Sequence, residues 1–395
     1  MGAAGPAHRP PADHPHRPRE RLSVSASLPD QPAAAPPSRR TLLTATIPAA
    51  AALIGVGALS FPRPASLGEP TGDTDLAAAV APHLKGHQRV AVMLRDPSGA
   101  TRFAGFGSSE SDEFEIGSVT KTFTGALLAC AIEEGEVSAE TTVEEILGER
   151  ASGSEVADAT LAELATHTSG LPRLASAMLW RATTAGFLRH DPYAGRDAQT
   201  VIDDALASSL SGRGTSSYSN LGVALEGQLL AAATGTDYAS LLQERILEPA
   251  QLTGTYAPIT PENLRETHRR GHGVNGLRQA AWTMEGQAPA GGICSTAADM
   301  MTYVTGMIDG SGPGAAAATE VLHEGEDKIV AMNWFHSVLD EEADTRLIWH
   351  NGQTGGYSSF AGFRSDTGQG VVVLTDSARP VDGLGAGLLT GEVAA

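Results

Sequence analysis

Strand-forming stretches stand at both ends of this chain and helix-forming stretches fill the middle, an order that admits few folds. Near the start, "RVAVMLRD" and "TRFAGFG" flank Pro-Ser-Gly-Ala and read as two strands joined by a turn. In the last third, "KIVAMNWFHSV", "TRLIWHNG", "YSSFAGFRS" and "GVVVLTDS" read as further strands divided by short Gly-, Asp- or Asn-containing turns. Between them lie a helix over about Val119–Glu134 closed by Gly135, a capped start at Thr160-x-x-Glu163, and the amphipathic "NLGVALEGQLLAAATG". "DTDLAAAVAPHL", "GGICSTAADMMTYVTGMI" and "DGLGAGLLTG" add an opening helix, a capped helix and a small terminal one. This order predicts an α/β chain of the α+β type. One antiparallel sheet is formed from both ends of the chain and flanked by helices, with a mainly helical lobe inserted. The sheet lobe is expected to use about residues 75–120 and 290–395 and the helical lobe about 121–289. A ligand would sit in the cleft between them.

The first sixty residues belong to neither lobe. Residues 1–37 are rich in Pro, His, Ala and Arg without an apolar period, and read as a disordered leader. "SRRTLLTATIPAAAALIGVGALS" then carries Arg39 and Arg40 into an uncharged run that resembles a twin-arginine export signal, with cleavage expected near Ala58-Leu59-Ser60. Export to the cell-envelope exterior is the expected fate. A membrane anchor is the alternative for a run of this length, and a cytoplasmic protein the outcome if the leader is unused. The full chain has a net charge of −19, and its first sixty residues hold six Arg against Asp13, Glu20 and Asp30, so residues 61–395 carry −22. Such a surface repels nucleic acid and anionic membranes. The expected partner is a small molecule.

The chemistry begins with "EIGSVTKTFTGAL", where Ser118 and Lys121 stand one turn apart at the start of an apolar helix. Burial removes hydration from an ammonium and lowers its pKa, so a neutral Lys121 amine can accept the Ser118 proton. By itself S-x-x-K is a weak signal, because a serine at a helix start with a surface lysine is common. "TSSYSNLGVAL" adds Tyr218 and Asn220 at the head of another helix. A phenol whose pKa is lowered by an adjacent cation could pass a proton, and the amide could bond a substrate carbonyl. "LIWHNGQTGGY" adds His350, Asn351 and Gly352 at a strand end, where Gly352, Gly355 and Gly356 would leave room for a substrate against the backbone. A strand edge facing the serine can also donate an N–H to a developing oxyanion.

Ser118-Val119-Thr120-Lys121, Tyr218-Ser219-Asn220 and His350-Asn351-Gly352, in this order, resemble the three motifs of the serine β-lactamase and D-alanyl-D-alanine peptidase superfamily, class C β-lactamase-related branch. "LATHTSGLP" and "PAGGICSTAADM" resemble further stretches of that branch, and the likeness spans about residues 75–395. It implies an acyl-enzyme on Ser118, general acid and base work shared by Lys121 and Tyr218, and Asn220 orienting the acyl side chain. The oxyanion hole would be the backbone N–H groups of Ser118 and Gln353. His350, Asn351 and Gly352 would contact substrate, while His167 and Thr296 would be structural. One departure matters: the third motif is usually Lys-Thr-Gly, whose cation grips a substrate carboxylate, and a mostly neutral His350 is a weaker anchor. This tilts the expectation from β-lactams toward esters, amides and D-amino-acid peptides.

The expected activity is therefore a serine hydrolase that needs no cofactor. A transacylase giving the acyl group to an amine is the alternative, and a non-catalytic penicillin-binding sensor the second. An α/β-hydrolase is disfavoured because no serine lies in G-x-S-x-G. No metal is expected: "HEGE" at His323 lacks a second His, and "HRRGH" (His268 and His272) lacks a convincing third ligand in the sequence. Cys130 and Cys294 are expected to be buried thiols.

Overall fold

The computed structural model describes residues 65–326 and 328–395; the expected leader and export segment lie outside the described residues. The strands along the chain are β1 (Pro70–Gly72), β2 (Val90–Arg95), β3 (Thr101–Phe106), β4 (Glu113–Glu115), β5 (Cys294–Thr296), β6 (His323–Glu324), β7 (Ile329–Val330), β8 (Phe335–Asp340), β9 (Thr345–Gln353), β10 (Ser358–Arg364) and β11 (Gly370–Thr375). A nine-stranded sheet runs β1-β3-β2-β11-β10-β9-β8-β7-β6, with β4 and β5 forming a separate ribbon. Its pairs are antiparallel, and β2 on β11 (Val90 opposite Thr375, Arg95 opposite Gly370) joins the two ends of the chain. The expected sheet is thus the observed one.

Strand alternation divides the packing. On one face Val90, Val92, Leu94, Val371 and Val373 bury against helices α1 (Thr74–Val80) and α8 (Asp382–Thr390). On the other, Ala91, Met93, Ile348, Ala361, Val372 and Leu374 join the larger core around α2 (Thr120–Glu133) and α7 (Ala297–Asp309). Each such fully buried Val or Leu contributes about 1.5–3 kcal/mol, so both faces are strongly committed.

The helical part comprises mainly α3 (Leu161–Ala165), α4 (Leu179–Leu188), α5 (Ala198–Leu206) and α6 (Asn220–Thr234), with shorter turns between them. The capping box at Thr160 and Glu163 is present, with Glu163 N bonded to Thr160 Oγ1 at 3.1 Å and Thr160 N to Glu163 Oε2 at 2.9 Å. Thr296 caps α7 through Asp299 N. Cys130 and Cys294 are buried and unpaired. Among the described residues no helix is long and apolar enough to cross a membrane.

Two readings of local structure change. "KIVAMNWFHSV" is two strands, because Asn333 turns at φ 61° and Ala331 N bonds Trp334 O at 2.9 Å. The β4–β5 ribbon lies immediately before the serine turn on one side and before α7 on the other. Each of its strands is three residues long, too short to show a period.

Candidate active site

Ser118 sits in the turn Gly117–Val119 that opens α2, and the next residues of α2 are buried all round. A helix buried on every side has no solvent face for a lysine. Lys121 is 0% exposed; its Nζ lies 3.1 Å from Ser118 Oγ and donates to Ala290 O at 2.5 Å. Burial, then the charge of Arg173, holds its pKa well below the usual lysine value, against an opposing pull from Glu226. The amine is therefore able to take a proton.

Tyr218 brings its hydroxyl to Ser118 and its ring to Lys121, whose Nζ is 4.9 Å from the ring centroid. The expectation of a lowered phenol pKa fails. Burial raises it more than the Ser118 hydrogen bond and Arg173 lower it, so Tyr218 stays a neutral proton donor. Its loop is held by His167, a strained position at φ 61°, whose Nδ1 accepts from Ser219 N at 3.3 Å and whose ring lies 4.7 Å from that of Tyr218. Ser219, not Asn220, caps α6: its Oγ accepts from Gly222 N and donates to Pro172 O, both at 2.8 Å. That leaves the Asn220 amide to border the cleft, with its Oδ1 buried and without a hydrogen-bond partner among the described residues.

The third motif divides by alternation along β9. His350 faces Lys121 and Tyr218, and Asn351 faces the other way, toward Asp382 at the head of α8, with which its side chain hydrogen bonds. His350 is 0% exposed and lies beneath the cleft, outside its lining. Its Nδ1–H donates to Asn351 O at 2.6 Å, and burial, then the Lys121 charge, lowers its pKa to about 3. A neutral ring in that position is no anion anchor. The glycine reading also changes. A Cβ on Gly352 would collide with Ile116 O, one on Gly355 would lie 2.8 Å from the Trp282 ring nitrogen, and one on Gly356 2.7 Å from Gly271 C. Their missing side chains let neighbouring protein approach, while Gly352 and Gly355 also line the cleft.

The close approach has a use. A Cβ on Gly117, at φ 50°, would lie 2.6 Å from Gln353 N, so the serine turn rests directly on the end of β9. Thr354 N bonds Tyr357 O at 3.0 Å across the β9–β10 turn. Alternation then sends the Gln353 N–H to the opposite edge, where β8 pairs no farther than Trp349. That edge is the one against Ser118.

The cleft holds about 850 Å³ and is walled by Leu174, Phe187, Tyr193, Val274 and Trp282 as well as Ser118, Tyr218, Asn220, Asn351 and Gly352. Two groups escaped the sequence reading. Arg173, the one Arg or Lys among the described residues of the lining, lies 5.0 Å over the Tyr218 ring. Its place beside "HTSGLP" carried no signal. Glu226, on α6, is 0% exposed, bonded by Asn333 Nδ2 at 3.0 Å, and burial raises its pKa to about 8. Because Glu226 favours the charged form of Lys121, Glu226→Gln is expected to move the acid-side inflection of kcat/KM to lower pH. An unmoved or raised inflection would show that Glu226 does not act on the lysine.

A sheet of this topology with a serine, a buried lysine and a tyrosine converging at one helix start defines a serine acyl-transferring hydrolase. The model of the beta-lactamase family matches residues 76–395, and the chain belongs to that family. Among its relatives, penicillin-binding protein 4 of Amycolatopsis lactamdurans is 26% identical over 69% of this chain and 73% of its own. The D-alanyl-D-alanine-carboxypeptidase/endopeptidase AmpH of Escherichia coli K12 is 25% identical over 67% and 69%. Among solved structures, a class C beta lactamase from Rhodobacter sphaeroides aligns with TM-score 0.66 and 21% identity, covering 78% of this chain and 95% of that one. A D-stereospecific amidohydrolase from Streptomyces sp. aligns with TM-score 0.63 and 22% identity, covering 77% and 92%.

Proposed function

We propose that this enzyme acylates Ser118 with an ester, amide or D-amino-acid peptide and then hydrolyses the acyl-enzyme. The observation that carries this is the fully buried Lys121 amine 3.1 Å from Ser118 Oγ. Lys121 takes the hydroxyl proton as Oγ attacks the carbonyl carbon, and the Ser118 and Gln353 N–H groups stabilise the oxyanion. Collapse breaks the bond to the leaving group, which receives a proton from the Tyr218 hydroxyl while Lys121 returns one to Tyr218. Asn220, whose amide borders the cleft, orients the acyl part.

The reading prefers esters, amides and D-amino-acid peptides to β-lactams, since His350 supplies no cation. The amidohydrolase and peptidase relatives support that direction. Anionic substrates would meet Arg173 instead. Arg173→Ala is expected to raise KM about tenfold, the cost of one charge-assisted hydrogen bond, for substrates with a free carboxylate and to leave neutral esters unaffected. An equal effect on both would remove this role. Transfer to an amine is the second reading, favoured by the exposed apolar rim of Phe187 and Val274, 56% and 62% exposed, which could seat an acceptor. Product partition that ignores added amine would exclude it. The paired Arg39 and Arg40 ahead of an uncharged run support export. Labelling with a fluorophosphonate, read by mass spectrometry, tests the nucleophile: Ser118 should carry the adduct. Folded protein with an unreactive Ser118 would leave only a binding role.

A further inference from the structure

At β4, just ahead of the serine turn in the chain, the fold assembles a group that the sequence keeps apart. His268 lies between two carboxylates of β4: its Nδ1 is 2.7 Å from Glu113 Oε1 and its Nε2 is 3.5 Å from Glu115 Oε1. Cys294, the first residue of β5, pairs with Glu115 across the ribbon and brings its thiol to His268. Ligand atoms of Glu113, His268 and Cys294 all fall within 4.8 Å of one another. Only His268 of "HRRGH" takes part, with the other donors coming from distant parts of the chain; His272 lies instead 3.6 Å from Asp376 Oδ2.

Two buried polar atoms in this group lack a proper bond. His268 Nε2 and Glu115 Oε2 have no hydrogen-bond partner among the described residues, although the Glu115 side chain is only 2% exposed. Glu115 Oε1 accepts from Trp282 N at a long 3.3 Å. Glu113 is better served, accepting from the Tyr256 hydroxyl at 3.0 Å. A buried carboxylate oxygen and an imidazole nitrogen left open beside a thiol are costly as a purely structural feature. A cleft of about 470 Å³, lined by Glu113 and His268, gives access from solvent.

We propose that Glu113, His268 and Cys294 bind one divalent zinc ion. One thiolate, one imidazole and carboxylate oxygens suit zinc better than magnesium or calcium, which prefer oxygen alone. Zinc binds a thiolate and a neutral imidazole, so its entry releases the Cys294 thiol proton, and an imidazolium proton where one is present, to solvent. The bound ion would tie β4, β5 and the segment around His268 together next to the turn that presents Ser118.

The full-length protein, stripped with chelator and dialysed against zinc, should retain one equivalent. X-ray absorption of the loaded protein should show one sulfur at about 2.3 Å with nitrogen and oxygen neighbours. Cobalt(II) should give a thiolate charge-transfer band that survives Cys130→Ser and vanishes in Cys294→Ser. Retention of less than about a tenth of an equivalent, a zinc shell without sulfur, or a band lost with Cys130 and not Cys294 would each overturn the site. The absorption measurement uses the unaltered chain, so it holds even if Cys294→Ser fails to fold. None of these readouts depends on Ser118 chemistry.

Discussion

Replacing Lys121 by alanine is expected to slow acylation of Ser118 by about 10²–10⁴-fold, the range that a positioned general base contributes. Ser118→Ala should abolish the acyl-enzyme altogether. The lysine sits 3.1 Å from the nucleophile with no route for its charge to reach solvent. Since a lost amine also leaves Ala290 O unbonded and a void in α2, Lys121→Met is the paired control: it fills the volume and supplies no base. Both variants should be slow if proton transfer is the lysine's work, whereas rescue by methionine would mean that packing is. The protonated amine is the inactive form, so acylation should rise with pH through the Lys121 pKa and level off above it. Burial sets that pKa well below the ordinary 10.5, so the rise should be complete before pH reaches 10.5. A rate still climbing through pH 10.5, or near-normal turnover in either variant, would overturn the assignment.

What the sequence made legible, and what it hid, follows from the range of the forces involved. The sheet from both chain ends was readable because β2 and β11 carry short apolar runs, Val90–Leu94 and Val371–Leu374, bounded by turn residues. Ser118 and Lys121 were readable as a pair because helical spacing is local. Whether the lysine is buried is not local: it depends on Ala290, Tyr218 and Glu226, which come from other elements. The same limit explains Tyr218, whose expected acidic shift considered one neighbouring cation and omitted the burial that outweighs it. His350 was read as facing substrate because a motif position does not state which face of β9 looks into the cleft. The Glu113–His268–Cys294 group was invisible for the strongest reason, since its members meet only through a ribbon of two three-residue strands.

Gly352→Ala is the second large effect expected, and it tests how the serine turn is held. The added methyl would occupy the space of Ile116 O and lie within contact of Ser359 Oγ. Ser359 Oγ at present donates to Ile116 O at 2.7 Å, a bond that staples the turn to β10. Ile116 O is backbone and cannot swing aside, and the Ser359 hydroxyl can rotate away only by giving up its bond to Ile116 O. The backbone of residues 116–118 and the end of β9 would have to separate, at about 1–3 kcal/mol for an overpacked site. The larger consequence is geometric. Gln353 N–H is carried by the same stretch of β9, so separation withdraws one oxyanion donor from Ser118 and should cost about 10²–10³-fold in kcat. KM should change less, because the cleft walls at Phe187, Tyr193 and Trp282 come from other segments. Thermal unfolding and single-turnover acylation of folded Gly352→Ala distinguish the outcomes. A lowered Tm with kcat intact would mean that the glycine serves packing alone and that the oxyanion is bound elsewhere. A loss in kcat at little cost in Tm would be the mark of a donor displaced from the reacting oxygen.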